Sequence, residues 1–129
     1  MRSAATSLLF LLLGCWANAT HLIGGELFYT HISGDDYEVT LKMYRDCGPG
    51  NTNQTGFDAT AEIAAYNANG AFFASWFFPV GLVEQVPIVW NNPCLTPPST
   101  ICVEEGIYTG TVTLPAGAGG YTLSFQRCC

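Results

Sequence analysis

Residues 37–45, YEVTLKMYR, decide the fold of this chain, because apolar and polar side chains alternate along them. The apolar positions are Tyr37, Val39, Leu41 and Met43. Side chains of one parity share one face of a β-strand, so the stretch predicts a strand with an apolar inner face and a more polar outer face.

Further strand patterns lie on both sides of this stretch, with turn residues between them. They occupy residues 26–32, 61–66, 71–78, 84–90, 107–114 and 121–127. The turns at residues 33–36 (SGDD) and 67–70 (NANG) predict tight hairpins, and Pro87 marks its strand as an edge or irregular one. Seven short strands predict an all-β domain, a disulfide-stapled antiparallel β-sandwich of immunoglobulin-like type.

The composition excludes several classes of protein. Of the 129 residues, 49% are hydrophobic and 11% are charged, which excludes a disordered chain. The net charge is -6 with only four Lys and Arg residues. Nucleic-acid binding depends on neutralising phosphates with basic side chains, so no nucleic-acid partner is expected.

The N-terminal residues resemble a secretory signal. Arg2 supplies a positive start, residues 8–13 form an apolar run, and Ala17-Asn18-Ala19 is a cleavage site of the Ala-x-Ala type. This pattern predicts a signal peptide at residues 1–19 and a mature β-domain at residues 20–129. The protein is therefore expected to be secreted or displayed on the cell surface.

A lipid anchor is the competing interpretation of the same region. Leu12-Leu13-Gly14-Cys15 resembles a bacterial lipobox, in which Cys15 would carry lipid. Membrane contact is expected only in that case.

Removal of the signal leaves five cysteines, Cys47, Cys94, Cys102, Cys128 and Cys129. In an oxidising compartment they should form disulfides. We expect Cys94–Cys102 to close the Pro-rich loop between them. Cys47 should then reach Cys128 or Cys129, and strand parity slightly favours Cys129.

Five is an odd number, so one thiol lacks an intrachain partner. The chain also stops at Cys128-Cys129, within strand-like sequence. Both features suggest the first module of a longer protein.

The sequence predicts no catalytic, cofactor-binding or metal-ligating residues. Glu104 and Glu105 are neighbours on a strand, so they should point to opposite faces and cannot flank one substrate bond together. There is no Cys-x-x-Cys pair, and His21 and His31 are isolated, which argues against zinc.

The aromatic run in residues 71–78 is the main candidate for ligand binding. Phe72, Trp76 and Phe78 share one parity, while aromatic residues also occupy the other. Three interpretations stay open: a loop covers the strand, a neighbouring domain packs on it, or it is an aromatic platform for a glycan or protein ligand.

An ordered series of motifs extends over nearly all of the predicted mature chain. The motifs are HLIGGELFY (21–29), YRDC (44–47), NPCL (92–95), CVEEGIY (102–108) and GGYTLSFQRCC (119–129). The series resembles the N-terminal domain of large secreted surface proteins of Bacteroidota-type bacteria, commonly labelled gliding-motility-associated or PKD-domain-containing.

This resemblance implies an extracellular module with an adhesive or structural role and no catalytic residues. Its expected partners are downstream domains of the same polypeptide, other surface proteins, or glycans.

Overall fold

A computed structural model describes residues 22–49, 56–89, 94, 96, 98, 100–117 and 119–127. The predicted signal peptide, Cys15, Cys128 and Cys129 lie outside these ranges. No helix in the described ranges is long and apolar enough to cross a membrane.

Six strands make up the described fold. They are β1 (Leu22–Ser33), β2 (Asp36–Asp46), β3 (Thr60–Asn67), β4 (Phe72–Gln85), β5 (Val103–Thr113) and β6 (Tyr121–Phe125). They form one antiparallel sheet in the order β1-β2-β5-β4-β3-β6, which curls until it is nearly a barrel. The prediction of an all-β, antiparallel, disulfide-containing domain is confirmed.

β4 bends the sheet over on itself. Its first part pairs with β3 as far as Pro79, and its second part, from Val80 to Gln85, pairs with β5. A strand that changes partner along its length brings two ladders face to face, with the apolar side chains between them.

The prediction of a separate strand at residues 84–90 is wrong in the part that the structure describes. Glu84 and Gln85 are the last residues of β4, and residues 86–89 are not in a strand. Pro79 does not interrupt β4, because it lies at the end of the ladder with β3, where the backbone N–H that proline lacks is not needed.

The core lies between β2 and β5 on one side and β3 on the other. Its buried hydrophobic residues are Val39, Leu41, Met43, Ala61, Ile63, Ala65, Phe78, Tyr108, Val112 and Leu114. The odd-numbered positions predicted to face inward on β2 do so, because β2 is a central strand whose inner face is covered by β3.

A disulfide joins Cys47 to Cys102, with Cα atoms 4.8 Å apart. Both predicted pairings are therefore wrong: Cys94 does not pair with Cys102, and Cys47 does not pair with Cys128 or Cys129. The reason is the pairing of β2 with β5. Asp46 lies opposite Val103, so the residues just beyond this pair meet. The Cys47 backbone N–H also donates to the Cys102 carbonyl at 3.0 Å.

Two ion pairs and one aromatic ring occupy the end of the sheet near this disulfide. The Arg45 Nε donates to Glu104 at 2.7 Å, and the Arg127 Nε lies 2.8 Å from an Asp58 oxygen. The Arg45 guanidinium also stands 5.1 Å from the centre of the Phe57 ring. These contacts explain why both arginines stand where alternation would place an apolar residue.

Tyr108 ties the core to the same end of the fold. Its ring is fully buried, and its hydroxyl donates to the Asp58 carbonyl at 2.8 Å. Burial raises the pKa of Tyr108, and the nearby Asp58 carboxylate raises it further. The hydroxyl therefore stays protonated and can keep donating.

Candidate binding surfaces

The predicted aromatic platform does not exist as a single surface. Phe78 is buried in the core with 4% of its surface exposed, and Trp76 packs against the core from the same side. Phe72 points outward and is 61% exposed. The grouping of these three side chains is therefore wrong.

A β-bulge in β4 causes this difference. Ala65 lies opposite Ala74, but the next residue, Tyr66, lies opposite Phe72. One extra residue, Phe73, is thus inserted in β4 at this point, which reverses the parity of the strand between Phe72 and Trp76.

The outer faces of β3, β4 and β6 instead form a different pocket, which we call the outer aromatic pocket. It is lined by Glu62, Ala64, Tyr66, Phe72, Ser124 and Gln126 and has a volume of about 160 Å³. The rings of Tyr66 and Phe72 pack edge to face, with centroids 6.0 Å apart.

The outer aromatic pocket combines an apolar wall with polar groups. Phe72 is largely exposed, and the carboxylate of Glu62, the hydroxyl of Ser124 and the amide of Gln126 lie around it. Sugar rings and polar peptides offer both an apolar face and hydrogen-bonding groups, so this combination suits ligands of that kind.

The second surface is the open side of the sheet, between β1 and β6. These strands are the two ends of the strand order, and no backbone pairing joins them in the described part of the chain. We call this gap the open seam. Two grooves with apolar side chains in their walls lie along it, with volumes of about 350 and 440 Å³.

The grooves show how β1 and β6 are aligned across the open seam. One groove holds Leu27 of β1 and Phe125 of β6. The other holds Tyr29 of β1 and Tyr121 of β6. The two strands therefore run antiparallel at matching heights, with apolar side chains on both walls.

The outer face of β2 and β5 is polar by contrast. Lys42 lies 2.7 Å from Glu105, and the Tyr44 hydroxyl donates to Glu26 at 2.8 Å. The hydrogen bond to Glu105 raises the pKa of Lys42, and the bond to Glu26 raises that of Tyr44. These polar groups bind one another across neighbouring strands. Of the four, only Glu26 lines one of the grooves described above.

The two neighbouring glutamates have separate partners. Glu105 contacts Lys42 on the outer face, whereas Glu104 contacts Arg45 at the end of the barrel. The prediction that they point to opposite faces is confirmed.

No metal centre is evident at these surfaces. Within the described ranges no three His, Cys, Asp or Glu side chains are grouped so that they could hold a metal ion. His31 uses its ring nitrogen in a 2.9 Å hydrogen bond with the Gly34 carbonyl.

Neither surface was predicted from the sequence. The outer aromatic pocket depends on the bulge at Phe73 and on β6 lying beside β3, and the open seam depends on which strands end the sheet. The sequence signal that was available is the even-numbered polar set on residues 121–127, which places Ser124 and Gln126 on the outer face.

Comparisons of the chain with family models, with curated proteins and with solved structures found no match.

Proposed function

We propose that this chain is a non-catalytic, extracellular module of a bacterial surface or secreted protein, with an adhesive or structural role. The observation that carries the proposal is the number of exposed apolar side chains on the edge strand β1 and on β4. β1 and β4 expose large hydrophobic side chains that a free-standing domain would normally bury: Ile23, Phe28, Tyr29, Ile32, Phe72, Phe73, Phe77, Leu82 and Val83. Large exposed apolar patches mark interaction sites, and we infer that side chains of these two strands supply one.

Two further features support a location outside the cytoplasm. The first is the signal pattern that ends at Ala19. The second is the Cys47–Cys102 disulfide, since structural disulfides persist in oxidising compartments. The likeness of the motif series to secreted Bacteroidota surface proteins agrees with both.

An immunoglobulin-like sandwich is the finer fold that we include in this proposal. The ladder of β1, β2 and β5 packs against the ladder of β3 and β6 across a shared core. β4 connects the two ladders, because it pairs with β3 and with β5. Face-to-face packing of antiparallel ladders is typical of such domains.

Export and adhesion can be tested together. When the full chain is expressed in a Bacteroidota host, we expect the product at the cell surface or in the medium, with Thr20 as its first residue. Beads coated with that product should adhere to a layer of the same cells several-fold more than albumin-coated beads. A product retained in the cytoplasm would rule out the proposal, and equal adherence of both kinds of bead would rule out the adhesive role.

Glycan binding is the second candidate function, and the outer aromatic pocket favours it. An exposed aromatic side chain can stack on the apolar face of a sugar ring, and the polar groups beside it can bind the hydroxyls. Tyr66 and Phe72 supply the rings, while Glu62, Ser124 and Gln126 supply the polar groups.

We expect Phe72→Ala to weaken binding to glycans on an array by about fivefold, because one stacked aromatic ring contributes roughly 1 kcal/mol. Phe77→Ala is the matched control, since Phe77 is 64% exposed on the same strand but does not line the pocket. Equal losses in the two variants, or no glycan bound by the unaltered protein, would exclude the outer aromatic pocket as a glycan site.

A further inference from the structure

β1 is a long edge strand with an unprotected backbone edge. It has 12 residues and pairs with β2 on one side, while no other described strand lies against its second side. Its ladder with β2 is regular from Gly24 to His31, and the register shifts lie only at the two ends. Such an edge is a template for pairing with another strand.

Natural proteins usually block an exposed edge with lysine, proline or a central bulge. β1 contains no lysine and no proline, and its centre has no bulge. Its only acidic residue, Glu26, is engaged by the Tyr44 hydroxyl of the neighbouring strand. The edge is therefore open to pairing along eight consecutive residues.

β1 also exposes apolar side chains on both of its faces. Phe28 lies opposite Thr40, on the outer face, and is 45% exposed. Tyr29 lies opposite the buried Val39, on the inner face, yet is 66% exposed because the open seam leaves it uncovered. A strand laid along this edge would bury both side chains.

We propose that the occupant of this edge is β1 of a second copy of the chain, paired antiparallel across a two-fold axis. A two-fold interface uses the same surface on both copies, so each contact is made twice. Pairing centred on Phe28 places the two Phe28 rings opposite each other and Leu27 opposite Tyr29 of the second copy. Aromatic and apolar cross-strand pairs of this kind stabilise a sheet.

The charges of β1 are compatible with this occupant. The chain carries a net charge of -6, so self-association requires an interface that opposes no like charges. In the register centred on Phe28, Glu26 lies opposite Thr30 and Gly25 lies opposite His31. No carboxylate of β1 meets a carboxylate of the second β1.

The same pairing covers the open seam. A two-fold axis perpendicular to the joined sheet keeps the inner face of each β1 on the same side, so Leu27 and Tyr29 of the second copy extend the apolar inner face beyond the edge. There they lie beside the grooves that contain Tyr121 and Phe125. One strand per copy gives less contact than the standard interface of about 1,600 Å², so we expect a micromolar dissociation constant.

Sedimentation velocity of the purified protein, from low to high micromolar concentration, tests the proposal. The unaltered protein should shift from monomer to dimer over this range. Phe28→Lys should keep the protein monomeric throughout, because it places two lysines opposite each other. Phe77→Lys makes the same exchange at an exposed position on β4 and should still form the dimer.

Hydrogen exchange supplies a second measurement that does not depend on a variant. Backbone amides between Gly24 and His31 should become more protected as the concentration rises, while those of β6 should change less. A monomer at every concentration would overturn the proposal and leave the edge to a strand of a different polypeptide. A dimer that is entirely disulfide-linked on a non-reducing gel and insensitive to Phe28→Lys would overturn it as well. Neither result bears on glycan binding, because the outer aromatic pocket is formed by side chains of β3, β4 and residues 124–126 and contains none of β1.

Discussion

Replacing Cys47 with serine should lower the free energy of unfolding by about 4 kcal/mol. The Cys47–Cys102 disulfide spans 55 residues of sequence, a segment that contains β3, β4 and the loops around them. Without the bond the unfolded chain gains the entropy that this closed loop had removed. Urea unfolding followed by tryptophan fluorescence measures the loss directly.

The same experiment separates this disulfide from the pairings predicted from the sequence. Cys102→Ser should lower the free energy of unfolding as much as Cys47→Ser does. The double variant should lower it no further than either single variant, because all three lose the same bond. Peptide mapping without reduction should recover the two cysteines in one linked fragment. Additive losses in the double variant would contradict the Cys47–Cys102 pairing.

The local structure around β2 was predictable because it depends on near neighbours in sequence. Alternation along residues 37–45 placed Val39, Leu41 and Met43 on the inner face, where they are buried. The turn at residues 67–70 closes as expected, since Gly70 adopts a positive φ of 82° that glycine tolerates best. Each of these features is decided within about ten residues, which is the range over which strand and turn patterns act.

The disulfide was not predictable in the same way, because it depends on which strands become neighbours. β2 and β5 are separated by two intervening strands in sequence, yet they pair side by side. We predicted a disulfide between Cys94 and Cys102 from the sequence, because a short loop can be closed without knowing which strands pair. In the fold, Cys102 directly precedes β5 and Cys47 directly follows β2, so the pairing of these two strands places the two cysteines side by side.

The prediction of the aromatic platform was wrong for a related reason. Parity assigns Phe72, Trp76 and Phe78 to one face only if β4 is regular, and a single inserted residue reverses the assignment. Nothing in the run of aromatic residues marks where that insertion falls. Phe78 is therefore a core residue and Trp76 packs against the core, while Phe72 lies on the surface.

Gly110→Ala should destabilise the fold by about 2–3 kcal/mol, although alanine normally suits a strand better than glycine. Gly110 lies on the inner face of β5, opposite Val39. A Cβ atom at this position would lie 2.2 Å from two carbon atoms of the Phe78 ring. Phe78 is itself enclosed in the core, so the ring cannot move aside without displacing its neighbours.

Two companion variants show whether this close contact is the cause. Gly56→Ala is the control, because a Cβ there would meet nothing within 4 Å, and its unfolding midpoint in urea should stay near that of the unaltered protein. Phe78→Leu should restore part of the loss when it is combined with Gly110→Ala, since the smaller side chain vacates the space that the new methyl group needs. If Gly110→Ala alone left the midpoint unchanged, the packing of β5 against β4 would have to differ from the arrangement described here. If the double variant merely summed the two losses, the Phe78 ring would not be the atom group that excludes a side chain at Gly110.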